Sequence, residues 1–202
     1  MNLKQTYNRI AEDWHQDHQA DDWWVNGTDK FISFLKPGSL VLDVGCASGL
    51  KSKYFLENGL QVVGIDFSEK MIEIARRESP AGKFLVLGLE EADKLEYLFD
   101  GIFMQAVLLH IPKKEVADDL RKVMEKLKPG GYLYIAIKEK KLQGEEEEIK
   151  IESDYGYSYE RFFSYFTVAE IESYLRNLGL EIVFSKVDSS ENTNWVQVIG
   201  RK

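Results

Sequence analysis

The sequence predicts an α/β protein in which a mostly parallel sheet carries helices on both of its faces. Short apolar runs typical of buried strands alternate along the chain with amphipathic segments typical of helices. The first run, Leu40–Val44, leads into a turn that contains glycine, and the second, Gln61–Asp66, ends in an acid. Because strands that alternate with helices are joined by right-handed crossovers, this order indicates a parallel sheet in a three-layer architecture.

Length and composition favour one folded domain over residues 1–202. Of the 202 residues, 44% are hydrophobic and 12% aromatic, which is typical of globular proteins. The formal net charge of −8 disfavours a surface that neutralises nucleic-acid phosphates. The single cysteine excludes an internal disulfide, and no apolar stretch approaches a membrane span. We therefore expect a soluble, cytoplasmic monomer or homodimer without membrane or nucleic-acid partners.

The turn after the first strand indicates a ligand site. Gly45 and Gly49 allow the backbone to approach a ligand closely. Ser48 is expected to cap the following helix, whose first N–H groups would face that ligand. A dinucleotide site would need glycine at positions 47 and 50, where the chain has other residues, and the Gly-Lys-Ser/Thr ending of a P-loop is absent. The remaining pattern, D-x-G-x-(small)-x-G, begins at Asp43.

Two helices are predicted before that turn. Apolar residues recur at helical spacing over residues 6–18, which predicts an amphipathic helix. Asp29 is expected to cap a short helix that ends at Leu35. Trp23 and Trp24 lie between these helices and either pack on the core or line a pocket.

Beyond the second strand the alternation continues. Ser68 is expected to cap the next helix. A strongly periodic helix is predicted over residues 116–127, and residues 128–131 are expected to stop it. Further strands are predicted at residues 83–87, 100–107 and 132–137.

The pattern changes after the fifth strand. Four glutamates at residues 145–148 predict a solvated loop, and aromatic residues crowd the segment 155–166. Thr167 and Glu170 form a capping-box sequence, which predicts a helix that runs through Leu178. Two strands near residues 180–187 and 195–200, joined by a short polar turn, predict an antiparallel pair.

The glycine pattern of residues 43–49 resembles motif I of the class I S-adenosylmethionine-dependent methyltransferases. Residues 7–14 are similar to the N-terminal helix of many small-molecule members, of the methyltransferase domain 11/25 type, and residues 127–131 to the family's turn before strand five. The order of elements resembles that family over nearly the whole chain. The resemblance implies a Rossmann-like, seven-stranded sheet in the order 3-2-1-4-5-7-6, with strand 7 antiparallel.

The same resemblance divides the chain into four parts. Residues 1–36 would form N-terminal cap helices, and residues 37–138 a core that binds the cofactor. Residues 139–166 would form an aromatic insert or lid, and residues 167–202 a C-terminal helix and hairpin.

The resemblance implies S-adenosylmethionine as cofactor and S-adenosylhomocysteine as product. Asp66, at the end of the second strand, would accept hydrogen bonds from both ribose hydroxyls. Asp43 would either order the turn or contact the cofactor's ammonium group, while Phe67 and Met71 would flank the adenine. The expected cofactor-binding residues are Asp43, Gly45, Cys46, Ala47, Gly49, Asp66, Phe67, Met71, Leu89, Glu90, Gln105 and Ala106.

Two positions depart from the family pattern. Ala47 stands where many members have glycine, which predicts weakened rather than lost binding. Leu89 stands where members often place an aspartate beside the adenine amino group, so that Glu90 or a backbone group would take that contact. Gln105 and Ala106 end the fourth strand and would lie near the sulfonium.

Methyl transfer from a sulfonium is an in-line displacement, in which alignment and the exclusion of water matter most. A base is needed only where the acceptor carries a proton of high pKa. His110 lies near the strand ends of the expected site and has either a structural role or that of a base or acceptor-orienting donor. Cys46 is expected to be a packed turn residue rather than a reactive thiol, and no spacing of ligand residues predicts a metal site.

The aromatic segment either covers the sheet edge or forms a lid over the acceptor. As a lid it would build, with the first helix, a pocket for a small, partly apolar acceptor and exclude water. The expected lid residues are Tyr7, Trp14, Arg161 and Tyr165. The function predicted is methyl transfer to a small-molecule acceptor. The alternatives are a tRNA-modifying methyltransferase, against which the acidity of the chain counts, and a protein that binds the cofactor without catalysis.

Overall fold

Six α-helices, two short 3-10 helices (Leu89–Lys94 and Leu108–His110) and nine strands are present in the computed structural model, which describes residues 2–190 and 193–202. The helices are α1 (Leu3–His18), α2 (Val25–Ile32), α3 (Leu50–Glu57), α4 (Glu69–Glu78), α5 (Lys113–Glu125) and α6 (Val168–Asn177). The strands are β1 (Leu40–Val44), β2 (Gln61–Asp66), β3 (Lys83–Val86), β4 (Phe99–Gln105), β5 (Leu127–Lys138), β6 (Glu147–Glu152), β7 (Tyr159–Ser164), β8 (Glu181–Ser190) and β9 (Thr193–Arg201).

Seven of these strands form one sheet, in the order β3-β2-β1-β4-β5-β9-β8. Strands β1 to β5 pair in parallel, and β9 runs antiparallel to both β5 and β8. With β8 and β9 as the sixth and seventh strands of the sheet, this is the order 3-2-1-4-5-7-6, so the predicted fold class is confirmed. The predicted polar turn between β8 and β9 contains residues 191 and 192, which lie outside the described residues.

Apolar side chains cover both faces of this sheet. On one face, Phe31 of α2 and Phe55 of α3 pack against Phe103 of β4, and all three are fully buried. On the other face, Leu120 of α5 and Leu175 of α6 belong to a larger buried cluster that includes residues of five strands of the sheet. Each such side chain contributes about 1.5–3 kcal/mol when it is fully buried. The sheet is therefore held rigidly, which fixes the positions of its strand ends.

The segment after β5 confirms only the first half of the solvated loop predicted at residues 145–148, since residues 145 and 146 are exposed and lie outside any strand. Strand β6 begins at Glu147 and pairs with β7 in a two-stranded antiparallel sheet. Its exposed residues include Ile149 and Ile151, whereas its half-buried residues are the charged ones, Glu148, Lys150 and Glu152. The carboxylate of Glu148 accepts the hydroxyl of Tyr165, and Glu152 of the same strand binds Arg161 of β7.

Two predicted helix caps are wrong. Helix α2 begins at Val25, and Asp29 accepts a hydrogen bond from the Tyr54 hydroxyl (2.7 Å) instead of capping the helix. Helix α3 begins after Gly49, which occupies the N-cap position with a φ of +83°. Ser48 therefore does not cap this helix, and its hydroxyl is buried without a hydrogen-bond partner among the described residues.

Other caps were predicted correctly. Ser68 accepts a hydrogen bond from the backbone N–H of Met71, and Thr167 forms a capping box with Glu170. Residues 128–131, expected to lie outside any strand, belong to β5, where the pairing with β4 shifts in register. Within the described residues, no helix has both the length and the apolar character needed to cross a membrane.

Candidate functional site

A cavity of about 600 Å³ opens at the carboxyl ends of the parallel strands. Its wall includes Asp43 of β1, Asp66 of β2 and Gln105 of β4. Strand β1 lies between β2 and β4, so the order of strands reverses at this point. Open α/β sheets bind their ligands at such a switch point, and the volume is typical of small-molecule sites.

The turn after β1 adopts a left-handed backbone at three alternate residues. Gly45, Ala47 and Gly49 have φ values of +64°, +47° and +83°. A Cβ on Gly45 would lie 2.7 Å from Cγ2 of Val107, so only glycine fits there. Ala47 adopts a conformation that L-residues rarely take, and among the described residues it shares this feature only with Ala106, at φ +57°. Both alanines line the cavity, and strain of this kind concentrates at functional sites.

The carboxylate of Asp66 is ordered by the backbone around it. One oxygen accepts the N–H of Ala47 (3.1 Å), and the other accepts the N–H of Ser68 (2.8 Å). Only 9% of Asp66 is exposed, and this burial raises its pKa to about 6 against the opposing effect of the two N–H groups. Each carboxylate oxygen can accept a second hydrogen bond, so both remain available to a ligand.

Asp43 is the second buried acid of the cavity wall. The Ser52 hydroxyl donates a hydrogen bond to it (2.6 Å), and burial raises its pKa to about 6. Lys51 also lines the cavity and lowers that pKa as a neighbouring cation. The sequence did not single out Lys51, because a lysine at the start of a helix is usually solvated.

Gln105 ends β4 with a buried side-chain amide. Neither its nitrogen nor its oxygen has a hydrogen-bond partner among the described residues. Buried polar groups in proteins are nearly always paired. Because Gln105 lines the cavity, this amide is positioned to bond with a ligand.

Most of the remaining expected cofactor residues line the cavity, and two do not. Cys46, Phe67, Leu89 and Glu90 are in its wall. Cys46 also packs against Ile72, Ala75 and Phe84, and burial raises the pKa of its thiol, which agrees with a packed turn residue. The two that do not line the cavity are Gly49 and Met71.

The predicted contact of Met71 with the adenine is therefore not supported by its position. Met71 is fully buried and packs with Ala11 and Ile74 between α1 and α4. Gly49 serves helix packing, since a Cβ there would lie 3.1 Å from Ala75.

Three of the four expected lid residues, Tyr7, Trp14 and Arg161, line the cavity, with His110 beside them. Nδ1 of His110 lies 2.7 Å from the carbonyl oxygen of Phe162, and since a carbonyl only accepts, Nδ1 carries the proton. Nε2 then accepts a hydrogen bond from the Tyr7 hydroxyl (2.7 Å). Burial lowers the pKa of His110 to about 3, so its ring is neutral at neutral pH.

Arg161 connects this pair to the hairpin of β6 and β7. Its guanidinium donates two hydrogen bonds to the carboxylate of Glu152 and lies 3.5 Å from the Tyr7 hydroxyl oxygen. Tyr165, the fourth expected lid residue, does not line the cavity. Its hydroxyl bonds to Glu148 (2.7 Å) within the hairpin, which corrects its expected contact with the acceptor.

One side of the cavity wall includes Trp23, Lys138, Phe163 and Trp195, none of which the sequence assigned to the site. Trp23 lines the cavity and stacks on Trp195, with ring centroids 4.2 Å apart. Trp24, by contrast, is buried and does not line the cavity. Lys138 and Phe163 complete this side, with the Lys138 ammonium 4.7 Å from the Phe163 ring centroid. We call Trp23, Lys138, Phe163 and Trp195 the distal wall. Across residues 2–190 and 193–202, no group of three or more His, Cys, Asp and Glu side chains is arranged to hold a metal ion.

Comparison with known proteins agrees with this architecture. Residues 42–135 match the model of a family described as a methyltransferase domain. Phosphoethanolamine N-methyltransferase 3 of Arabidopsis thaliana is 40% identical over 116 residues, which are 54% of this chain and 23% of the relative. A ubiquinone biosynthesis O-methyltransferase of Xanthomonas axonopodis is 27% identical over 189 residues, 81% of this chain and 77% of the relative. The chain thus spans under a quarter of the length of the first relative.

A solved structure has the same fold over almost the whole chain. It is the 1,6-didemethyltoxoflavin-N1-methyltransferase of Burkholderia thailandensis, solved with bound 1,6-didemethyltoxoflavin and S-adenosylhomocysteine. The TM-score is 0.77 at 20% identity, and the match covers 99% of this chain and 87% of that one. At this identity the likeness concerns the fold. The strand order and the family match both agree with the predicted resemblance to the class I S-adenosylmethionine-dependent methyltransferases. The family match extends over residues 42–135, just under half of the chain, and it supports the predicted resemblance.

Proposed function

We propose that this chain transfers the methyl group of S-adenosylmethionine to a small-molecule acceptor. The observation that carries the proposal is the cavity at the strand-order reversal, which contains a buried, pre-ordered acid at the end of β2. Ordering such a group before the ligand arrives reduces the entropic cost of binding.

The residues present fit the cofactor of this family. The carboxylate of Asp66 would accept the ribose hydroxyls, and the unpaired amide of Gln105 would bond to the cofactor or the acceptor near the end of β4. The strained turn at Gly45 and Ala47 would bring backbone against the methionine part. Phe67 and Leu89 would enclose the adenine, with Leu89 in place of a polar contact.

The cofactor supplies a methyl group on a sulfonium, which needs a nucleophile in line with the bond that breaks. The protein's part is to align the acceptor and to exclude water. We propose that α1 and residues 139–166 act together as the lid. The hydroxyl of Tyr7 connects the two, because it lies 3.5 Å from Arg161 of β7 and donates to His110, which in turn bonds to the carbonyl oxygen of Phe162.

His110 acts in this proposal by positioning Tyr7. Both of its ring nitrogens are engaged, by Phe162 and by Tyr7, and its lowered pKa keeps the ring uncharged. A base would need a nitrogen that is free to take the acceptor's proton. We therefore favour the orienting role over the base among the predicted alternatives.

A small acceptor is supported by the relatives' substrates and by the net charge of the chain. By their names, the similar proteins methylate phosphoethanolamine, act in ubiquinone biosynthesis and methylate 1,6-didemethyltoxoflavin. The net charge of −8 opposes tRNA binding. The test incubates the protein with S-adenosylmethionine and separate panels of phenols, carboxylic acids, amines and total tRNA, and measures S-adenosylhomocysteine. Product with a small molecule supports the proposal. Product with tRNA alone, or cofactor binding with no product from any panel, contradicts it in favour of the tRNA-modifying or the non-catalytic alternative.

A further inference from the structure

Three cationic side chains converge on the ring of Phe163, in the distal wall of the cavity. Nζ of Lys138, Cζ of Arg161 and Nζ of Lys150 lie 4.7, 5.3 and 5.5 Å from the ring centroid. Such an arrangement costs electrostatic energy unless negative charge balances it. The acidic partners of the three cations therefore show which positive charge is left unbalanced.

Two of the three cations have acidic partners. Arg161 binds Glu152 through two hydrogen bonds, and Lys150 lies 3.3 Å from a carboxylate oxygen of Glu148. The Glu148 carboxylate also accepts the hydroxyl of Tyr165. Both acids of this cluster are thus engaged by other groups.

Lys138 lines the cavity and is the one cation of this cluster that has no acidic partner among the described residues. Among the described residues, no carboxylate lies within 4 Å of its ammonium, and the ammonium donates no hydrogen bond. Burial and the nearby charges of Arg161 and Lys150 lower its pKa to about 8, against the raising effects of Glu152 and Glu148. A half-buried ammonium of this kind gains most from an anion that enters the cavity.

The position of Lys138 separates it from Asp66, the acid proposed to bind the ribose. It ends β5, whereas Asp66 ends β2, and β1 and β4 lie between these strands. At about 4.8 Å per strand, the two strand ends are roughly 14 Å apart across the sheet. Trp195 of β9 is the register partner of Lys138 and stacks on Trp23, which gives this side of the cavity a flat aromatic surface.

We propose that Lys138 is a specificity-determining residue, which binds an anionic group, a carboxylate or a phosphate, on a small acceptor that lies against Trp195 and Phe163. The inference rests on the proposed function, because it assigns the distal wall to the acceptor. It narrows the class of acceptor to acids whose remaining part is apolar or aromatic. Lys138 orients this acceptor and takes no part in breaking or forming the methyl bond.

The test titrates benzoate, phenyl phosphate and the uncharged benzamide into the protein with and without S-adenosylhomocysteine, following tryptophan fluorescence, since Trp23 and Trp195 line the cavity. We expect at least one of the two anions to bind about tenfold or more tightly than benzamide. Lys138→Met should remove this preference and Lys138→Arg should keep it. Lys150→Met, which removes a charge from the same cluster outside the cavity wall, should retain most of it. Which anion binds better distinguishes a carboxylate from a phosphate site.

The inference is overturned if benzamide binds as tightly as the anions or if neither anion binds. It is also overturned if Lys138→Met keeps the preference for the anions. S-adenosylhomocysteine binding, measured by calorimetry on the same samples, separates this result from the proposed function. If wild-type protein binds S-adenosylhomocysteine but shows no anion preference, only the role of Lys138 fails. If it does not bind S-adenosylhomocysteine, the proposed function itself fails.

Discussion

Replacing Asp43 by asparagine should stabilise the ligand-free protein at alkaline pH. Asp43 is 3% exposed, and its pKa in the folded protein is raised from 3.8 to about 6, first of all by burial. Asparagine keeps an acceptor for the Ser52 hydroxyl, which donates to Asp43 at 2.6 Å, but it never becomes charged. The variant therefore removes the cost of an ionised group in the cavity wall.

The magnitude follows from the pKa difference. A shift of about two pKa units corresponds to roughly 3 kcal/mol. Because the folded-state pKa of this acid is raised, the native state holds the proton more tightly than the unfolded chain. The stability contribution is therefore complete below about pH 4 and is lost as the pH rises to about 6. At pH 8 the variant should be more stable by about 1–3 kcal/mol, and the gain should vanish toward pH 4.

Urea denaturation of the ligand-free proteins at pH 8, 6 and 4 measures this difference. The exposed Asp93→Asn serves as control and should change the free energy of unfolding little at any of these pH values. An Asp43→Asn variant that is less stable than wild type at pH 8, or whose effect does not depend on pH, would refute the reasoning. The same variant should bind S-adenosylmethionine more weakly if Asp43 contacts the cofactor.

Two further predictions concern the turn and the lid. Gly45→Ala places a methyl 2.7 Å from Cγ2 of Val107 at a φ of +64°, so we expect at least tenfold weaker binding of S-adenosylhomocysteine by calorimetry. Gly59→Ala shares the positive φ (+76°) but meets no atom within 4 Å, so it should lose stability alone. Tyr7→Phe removes the hydroxyl that donates to His110 at 2.7 Å, and amide hydrogen exchange of β7 should accelerate about three- to tenfold.

Controls and contrary results are specific to each case. Unchanged affinity in a folded Gly45→Ala would show that the turn does not contact the ligand. Tyr97→Phe loses a hydroxyl contact with Lys83 outside the cavity and should leave exchange in β7 unchanged. If Tyr7→Phe behaves in the same way as Tyr97→Phe, the proposed bridge between α1 and the hairpin is wrong.

Local features of the sequence predicted the cofactor side of the site. The glycine pattern of residues 43–49 and the acid at the end of β2 are contiguous signals, and the parallel sheet brings them together. Predictions failed where a side chain's direction depends on packing. Met71 turns toward α1 rather than the cavity, and Ser48 cannot cap α3 because Gly49 takes the N-cap position in the left-handed conformation.

The distal wall could not be predicted because it has no sequence motif. Trp23 precedes α2, Lys138 ends β5, Phe163 lies in β7 and Trp195 in β9, and only the tertiary fold brings them together. Strand β6, which pairs with the strand that carries Phe163, was also hidden, since its half-buried residues are charged and its exposed ones include isoleucine, the reverse of the usual strand pattern.

The most direct test of the account is a calorimetric titration at pH 8 with S-adenosylhomocysteine, of wild type, Asp66→Asn and Asp100→Asn. Asp100 accepts the N–H of Leu40 (2.9 Å) and the ammonium of Lys128 (2.8 Å) outside the cavity, so its variant loses comparable bonds away from the site. We predict saturable binding that Asp66→Asn weakens by about 1.5–3 kcal/mol and Asp100→Asn leaves unchanged. A folded wild-type protein that does not bind, or equal affinities of wild type and Asp66→Asn, would contradict the assignment of this cavity to the cofactor.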